Sequence, residues 1–240
     1  MSDWNPIAGD WHELWGGFAA PVQREIIAAA GIGASTRVLD VGCGSGEFLA
    51  MLREAGAIPS GVDPAEGMVE LASQHGDARI GEAEHLPFDD ASFDVVTAVN
   101  AFQFADDPIN ALAEFARVLV PGGLIAIANW AEAAQNDIDT IERALSEDDD
   151  DDSESKLRLP GGQQELLEAF GLEVVATGLV TAPWHASDDD ILVRGVLLGE
   201  DADGQQRLAT TVKTAAEPYR TATGGYELSN ALRFAVARVS

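Results

Sequence analysis

The stretch Val38 to Gly46, VLDVGCGSG, constrains this chain more than any other. Val38, Leu39 and Val41 form a short apolar run suited to a strand buried on both faces, and Gly42, Gly44 and Gly46 follow at alternate positions ahead of the helical segment EFLAMLREAG. Glycine tolerates φ > 0 and lets a ligand approach the backbone, while the first turn of the next helix carries N–H groups that no helical carbonyl satisfies. A strand, a loop and a helix in that order make a ligand seat.

The glycine spacing separates two kinds of seat. A dinucleotide loop reads GxGxxG, but here the third glycine falls at Gly46, giving GxGxG, with Glu47 in the place where the other motif needs glycine. Asp40 puts an anion at the mouth of the loop, which repels a pyrophosphate and suits a ligand carrying a positive amino group. A second acid, Asp63, closes the strand AIPSGVDP about 20 residues beyond the loop, where Rossmann-like folds set a carboxylate against ribose hydroxyls. Asp63 is also placed to N-cap the following helix, with Pro64 at a first helical position; its oxygens have room for both duties.

With these residues stand Glu82-Ala83-Glu84, Leu86-Pro87-Phe88 and Ser92-Phe93-Asp94. Together they resemble the motifs of the class I S-adenosylmethionine-dependent methyltransferases of small-molecule type, with a methyltransferase type 11-like domain, over roughly Thr36 to Trp130. The resemblance implies an α/β, Rossmann-like, doubly wound seven-stranded sheet, mostly parallel with an antiparallel last strand, and a helical lid or insertion. It implies S-adenosyl-L-methionine as cofactor and S-adenosyl-L-homocysteine as product. The backbone of Gly42, Cys43, Gly44 and Gly46 would face the methionine part, Asp40 its ammonium group, and Asp63 with Pro64 the ribose. Met68, the Glu82 carboxylate and the Ala83 backbone would meet the adenine. Aspartate is the usual residue where Glu82 stands. Asn100 would border the sulfur that carries the methyl group, and Phe102, Gln103 and Phe104 would lie beside it. The chain lacks an NPPY signature, since Ala101 and Phe102 follow Asn100, and this disfavours methylation of an exocyclic base amine.

The flanks are read more coarsely. Trp11 and Trp15, four residues apart and so on one helical face, serve either as packing or, by the resemblance, as a lid over cofactor and substrate. A helix runs roughly from Pro21 to Ala30. The helix INALAEFARVLVPGG ends at Pro121-Gly122-Gly123, and the strand LIAIANW carries Trp130 to the carboxyl edge where open α/β sheets bind ligands. Within a single domain, residues 1–35 form the N-terminal lid, 36–182 the cofactor core, 183–225 a polar helical insertion that Ser187 caps, and 226–240 the last strand. The acidic run Ser146 to Ser155 reads as a solvated loop, because contiguous aspartates lack the alternate spacing and glycine of a calcium loop.

Composition narrows the partners. With 41 acidic against 14 basic residues the formal charge is −27, a field that repels phosphate backbones and anionic lipid surfaces. Neither nucleic acid nor membrane is expected as partner; a small molecule is, with the protein a monomer or homodimer in the cytoplasm. Scarce lysine on an acidic surface suggests a high-salt setting. The lone Cys43 excludes an intramolecular disulfide, and its place in the loop favours packing over reactivity. No histidine and carboxylate spacing resembles a metal site. A sulfonium methyl needs placement in line with a nucleophile and exclusion of water, and a base only for some acceptors. Of His12, His75, His85 and His185, the last is the first candidate for that base. The leading expectation is O-, N- or C-methylation of a small aromatic or apolar metabolite. Methylation of a protein and a non-catalytic cofactor-binding module remain the alternatives.

Overall fold

In the computed structural model, which describes residues 4–146 and 155–239, helices and strands alternate from α1 (Ala8–Leu14) and α2 (Ala20–Ala29) through β1 (Arg37–Val41), α3 (Glu47–Glu54), β2 (Ile58–Asp63), α4 (Glu66–Ala72) and β3 (Asp77–Ile80). Then come β4 (Phe93–Val99), α5 (Pro108–Val118), β5 (Leu119–Trp130), α6 (Asp137–Leu145), α7 (Gly162–Ala169) and β6 (Glu173–Thr181). The chain closes through β7 (Trp184–Ala186), α8 (Asp189–Val196), α9 (Ala202–Ala216), β8 (Tyr226–Leu228) and β9 (Ala231–Arg238).

Seven strands form one sheet in the order β3-β2-β1-β4-β5-β9-β6. β3, β2, β1, β4 and β5 pair in parallel, and β9 runs antiparallel to both of its neighbours. This is the doubly wound, mostly parallel sheet that the motifs imply. Side chains alternate across each strand, so β1 feeds two cores at once. Val38 packs on one face with Ile26, Phe48, Leu49 and Leu52. Leu39 and Val41 pack on the other with Leu112 and Phe115. In α5 the buried positions Ala111, Leu112, Phe115 and Val118 fall on one helical stripe. Asp107 caps that helix, accepting from the backbone N–H of Ile109 and Asn110.

Four local expectations change. α5 stops at Val118, and Pro121-Gly122-Gly123 lie inside β5, where Gly122 takes φ +77° and the pairing with β4 shifts register between Phe93 and Val95. Such an irregularity is where a sheet admits proline. Asp188, not Ser187, caps α8: its carboxylate accepts from Ile191 N at 3.0 Å, and Ser187 Oγ donates to that same carboxylate at 2.9 Å. Asp63 does not cap α4, whose N-cap is Ala65; its Oδ1 accepts from the N–H of that cap residue itself and not from the first turn of the helix. The insertion is not wholly helical, because β7 pairs antiparallel with β8 in a separate ribbon, and β8 occupies the start of the segment read as the last strand. The solvated-loop reading of the acidic run falls on residues 147–154, outside the described residues.

Candidate active site

β1 and β2 run side by side in register, Asp40 opposite Gly61 and Val41 opposite Val62, so both chains leave the sheet at the same edge. Gly42 N and Cys43 N both donate to Val62 O, at 2.8 and 3.1 Å, which folds the glycine loop over the end of β2. Gly44 N then donates to Asp63 Oδ2 at 3.0 Å while Ala65 N donates to Asp63 Oδ1 at 2.9 Å. Each Asp63 oxygen keeps a further acceptor site. Gly42 sits at φ +69°, and a Cβ there would overlap the Cβ of Ala101. Gly46, the left-handed residue before α3, turns toward α4, where a Cβ would come within 2.7 Å of Ala72 Cα.

At this edge opens a cavity of about 790 Å³. Asp40, Gly42, Cys43, Gly44, Asp63 and Pro64 line one end, with Met68, Glu82 and Ala83 beyond them. Asn100, Phe102, Gln103 and Phe104 line it as well, and so do Trp11, Trp15 and Trp130. Two expected residues are not among its lining. Gly46 serves the packing of the loop against α4 instead. His185 lies on β7 between buried Trp184 and Ala186, and the strand alternation that buries those two turns it outward, 3.9 Å from Glu227 and well exposed. The base assignment at His185 therefore has no support in the geometry.

The tryptophans join the N-terminal segment to the insertion. Trp15 stacks on Trp184 with ring centroids 4.7 Å apart and meets Trp130 edge to face at 6.1 Å, while Phe18 stacks on Trp130 at 4.6 Å. Trp11 stacks on Trp15, and its Nε1 would lie 3.6 Å from a Cβ at Gly44, so α1 closes directly over the glycine loop. His12 Nδ1 reaches Glu47 Oε1 at 2.6 Å, and Ser45 Oγ donates to the same oxygen at 2.7 Å. Arg194 of α8 bonds Asp10 and Glu13 of α1.

The electrostatics of the two acids differ from those of a surface carboxylate. Asp40 is 3 % exposed and accepts from Thr97 Oγ1 at 2.6 Å. Burial, only partly offset by Thr97, pushes its carboxyl up to about 7, and the nearby Asp63 and Glu47 charges push the same way. Burial raises the Asp63 carboxyl too, against the opposing effect of the bonds from Ala65 and Gly44. The Cys43 thiol is pushed well up by burial and by the surrounding acids, which makes it a packing group rather than a nucleophile.

Other cavity residues escaped the sequence reading. Trp4 and Phe18 extend the aromatic wall. Asp139 and Glu142 enter from α6 together with Arg158, the one cation among the described lining residues. Arg158 bonds both oxygens of Asp139, at 3.0 and 2.5 Å, and donates to Ala131 O at 2.8 Å. The spacing of Ile138, Asp139 and Glu142 on one helical face was the available signal. Among the described residues no group of three or more histidine, cysteine or acidic side chains is arranged to hold a metal ion, and no helix is long and apolar enough to cross a membrane.

A methyltransferase domain family matches residues 39–127. The malonyl-[acyl-carrier protein] O-methyltransferase of Dechloromonas aromatica is 30 % identical over 221 residues, which cover 86 % of this chain and 83 % of that protein. The protein of the same name from Serratia marcescens is 35 % identical over 127 residues, and that match spans only half of each chain. Among solved structures, a methyltransferase from Thiobacillus denitrificans, determined in complex with S-adenosyl-L-homocysteine, superposes with a TM-score of 0.62 at 19 % identity and 99 % coverage of both chains.

Proposed function

This chain belongs to the class I S-adenosylmethionine-dependent methyltransferases, and from that premise we propose that it methylates a small, neutral acceptor with an aromatic or apolar body, held in the cavity between the N-terminal segment and the insertion. The buried Asp40 carries this reading. No cation among the described residues pairs with it, and a carboxylate removed from water without a partner is unfavourable unless a ligand supplies the positive charge. An ammonium or sulfonium group fits that demand, and the glycine loop beside it leaves room for a ligand chain against backbone N–H groups.

When bound, the cofactor supplies a methyl group already activated on a sulfonium. Asp40 would hold its ammonium group, and Asp63 would accept from the ribose hydroxyls with the acceptor sites that Gly44 and Ala65 leave open. Met68, Glu82 and Ala83 line the same cavity and would meet the adenine. Trp11 and Trp15 cover the loop and exclude water, which keeps the acceptor from competing with solvent for the methyl group. Trp130, Phe18 and Val196 offer the acceptor an apolar wall.

The Dechloromonas and Serratia relatives are named for an acceptor that carries a carboxylate. An anion of that kind would meet an acidic environment here. Asp40, Glu47, Asp63, Glu82, Asp139 and Glu142 all line the cavity, and the one arginine among the described lining residues is already bonded to Asp139, so a neutral acceptor is the better fit. Calorimetry tests the cofactor site directly: purified protein takes up S-adenosylhomocysteine, and Asp40→Asn weakens that uptake at least tenfold. Absence of uptake by the unaltered protein overturns the proposal. Transfer of labelled methyl to small aromatic acceptors, absent from Asp40→Asn, tests the reaction.

A further inference from the structure

Asn100, Gln103 and Asn129 meet at the carboxyl edge of β4 and β5, and one atom that cannot change its role sets the direction of their hydrogen bonds. The backbone carbonyl of Asn100 only accepts, so the Gln103 side-chain atom 3.2 Å from it is the donor Nε2. The same Nε2 donates to Asn100 Oδ1 at 2.9 Å, which turns the oxygen end of the Asn100 amide toward Gln103 and its Nδ2 away. Gln103 Oε1 then accepts from Asn129 Nδ2. Asn129 is 2 % exposed, and its Oδ1 is left buried with no partner.

Turning any one of these amides sets oxygen against oxygen or nitrogen against nitrogen. The three are therefore coupled, and their polarity runs one way from β5 to the cavity. Asn100 itself holds a left-handed backbone, φ +53°, and lines the cavity beside Gln103. Its Nδ2 has no hydrogen-bond partner among the described residues. A buried unpartnered oxygen at Asn129 is unfavourable, and a fixed donor at the cavity wall is what the arrangement provides.

We propose that Asn129, Gln103 and Asn100 form a one-way amide relay that holds Asn100 Nδ2 as a fixed donor to the acceptor molecule, so that the acceptor presents an oxygen lone pair there and not the N–H of an amine. This rests on the reading above that the acceptor occupies this cavity. The chemical class is a phenol, enol or carbonyl oxygen on an aromatic or apolar body, whether or not that oxygen receives the methyl group. An amine N–H needs an acceptor at this point, and the relay offers none. Asn129 is a positioning residue that acts through Gln103. Substitution at Asn129 leaves the glycine loop and Asp63 in place, so uptake of S-adenosylhomocysteine is read separately from the relay.

Protein saturated with S-adenosylhomocysteine is titrated with 2-naphthol and with 2-naphthylamine near pH 7.5, where both are neutral, and the ratio of their dissociation constants is read by calorimetry or ligand-observed NMR. The unaltered protein binds the naphthol at least fivefold tighter. In Asn129→Asp an ionised carboxylate, the stronger acceptor, outcompetes the neutral Asn100 carbonyl for Gln103 Nε2, which turns Gln103 and then Asn100, and the preference shifts toward the naphthylamine by fivefold or more. Asn129→Leu leaves the Asn100 carbonyl in control of Gln103 and retains the naphthol preference. A merely structural role for Asn129 weakens both probes alike and leaves the ratio unchanged in Asn129→Asp. If that variant does not fold, Asn100→Asp, which presents only oxygens to the cavity, shifts the ratio the same way. The inference is overturned if the unaltered protein binds both probes equally, binds neither, or prefers the amine, or if the ratio survives in folded Asn129→Asp or in folded Asn100→Asp. Uptake of S-adenosylhomocysteine in those same samples shows whether the methyltransferase reading stands when the relay falls.

Discussion

Trp15 and Trp184 are tied to each other twice over. Their indoles lie nearly parallel at 4.7 Å, Trp15 Nε1 donates to Gly195 O at 3.0 Å, and Trp184 Nε1 donates to Leu14 O at 2.7 Å. Each ring thus bonds the backbone next to the other. Gly195 permits the arrangement because a Cβ there would overlap the Trp184 ring. The cover of the cavity is consequently fastened to the insertion rather than to the sheet alone.

Trp184→Ala should cost about 3–5 kcal/mol of stability, as for other large aromatic truncations in a packed interior. Trp184→Phe, which keeps a ring but loses the N–H, should cost about 1–2 kcal/mol. Denaturant unfolding measures both. Limited proteolysis should show cleavage before residue 20 accelerated in Trp184→Ala under native conditions, and an unchanged cleavage pattern would separate the cover from the insertion.

Asp40 predicts a pH dependence of sign opposite to that of a salt-bridged acid. Its carboxyl stands at about 7 in the folded protein against an ordinary value of 3.8, so between those values the folded state holds a proton that the unfolded chain has released. The contribution of this group to stability is full below about pH 4 and is lost as pH rises through about 7. Relative to Asp40→Asn, the unaltered protein should therefore lose up to about 4 kcal/mol between pH 4 and pH 8, taking about 1.4 kcal/mol per pKa unit. Binding of an ammonium group favours the ionised form. S-adenosylhomocysteine affinity should then rise with pH up to about 7.5, with proton release below pH 7 that calorimetry in two buffers detects and that Asp40→Asn abolishes.

Asp63 has a structural duty at the glycine loop and, in the function proposed above, a ligand-facing one, and two substitutions separate them. Asp63→Asn keeps an acceptor for one of Gly44 N and Ala65 N, while Asp63→Ala leaves both without one. Expected stability losses are about 1 and about 2–3 kcal/mol. Both should weaken S-adenosylhomocysteine at least tenfold, because both remove the charged acceptor from the ribose end. Equal affinity in Asp63→Asn and unaltered protein would leave Asp63 with its structural duty only.

The charge of −27 predicts a response to salt. Screening relieves repulsion among the carboxylates over a distance that falls to about 3 Å at 1 M, and the exposed ion pairs that it also weakens contribute little each. The melting temperature should rise as potassium chloride increases from about 0.1 M to about 2 M. A flat profile would remove the link between composition and a high-salt setting.

Much of this architecture is local in origin and so could be read along the chain. The apolar run ending at Val41, the glycines after it and Asp63 at the end of β2 specify a strand, a turn and a strand by themselves, and the sheet order follows from the family they resemble. What escaped depends on partners distant in sequence. Asn129 bonds Gln103 from 26 positions away, and no pattern near either residue announces the other. Trp184-His185-Ala186 alternates as a strand must, yet its pairing with β8, about 40 residues on, decides that His185 faces outward. Ser187 and Asp188 both suit an N-cap, and only the backbone geometry at Asp188 selects between them.

The position of β9 has an outcome for synthesis. It fills the gap between β5 and β6, so a nascent chain that has just completed residue 225 carries open strand edges on both sides of a gap one strand in from the end of its future sheet. Unpaired edges of that kind recruit other strands, including those of neighbouring copies. Up to that moment the growing polypeptide depends on solubility from elsewhere, and dense negative charge on every copy is a physical means of keeping such half-built sheets apart.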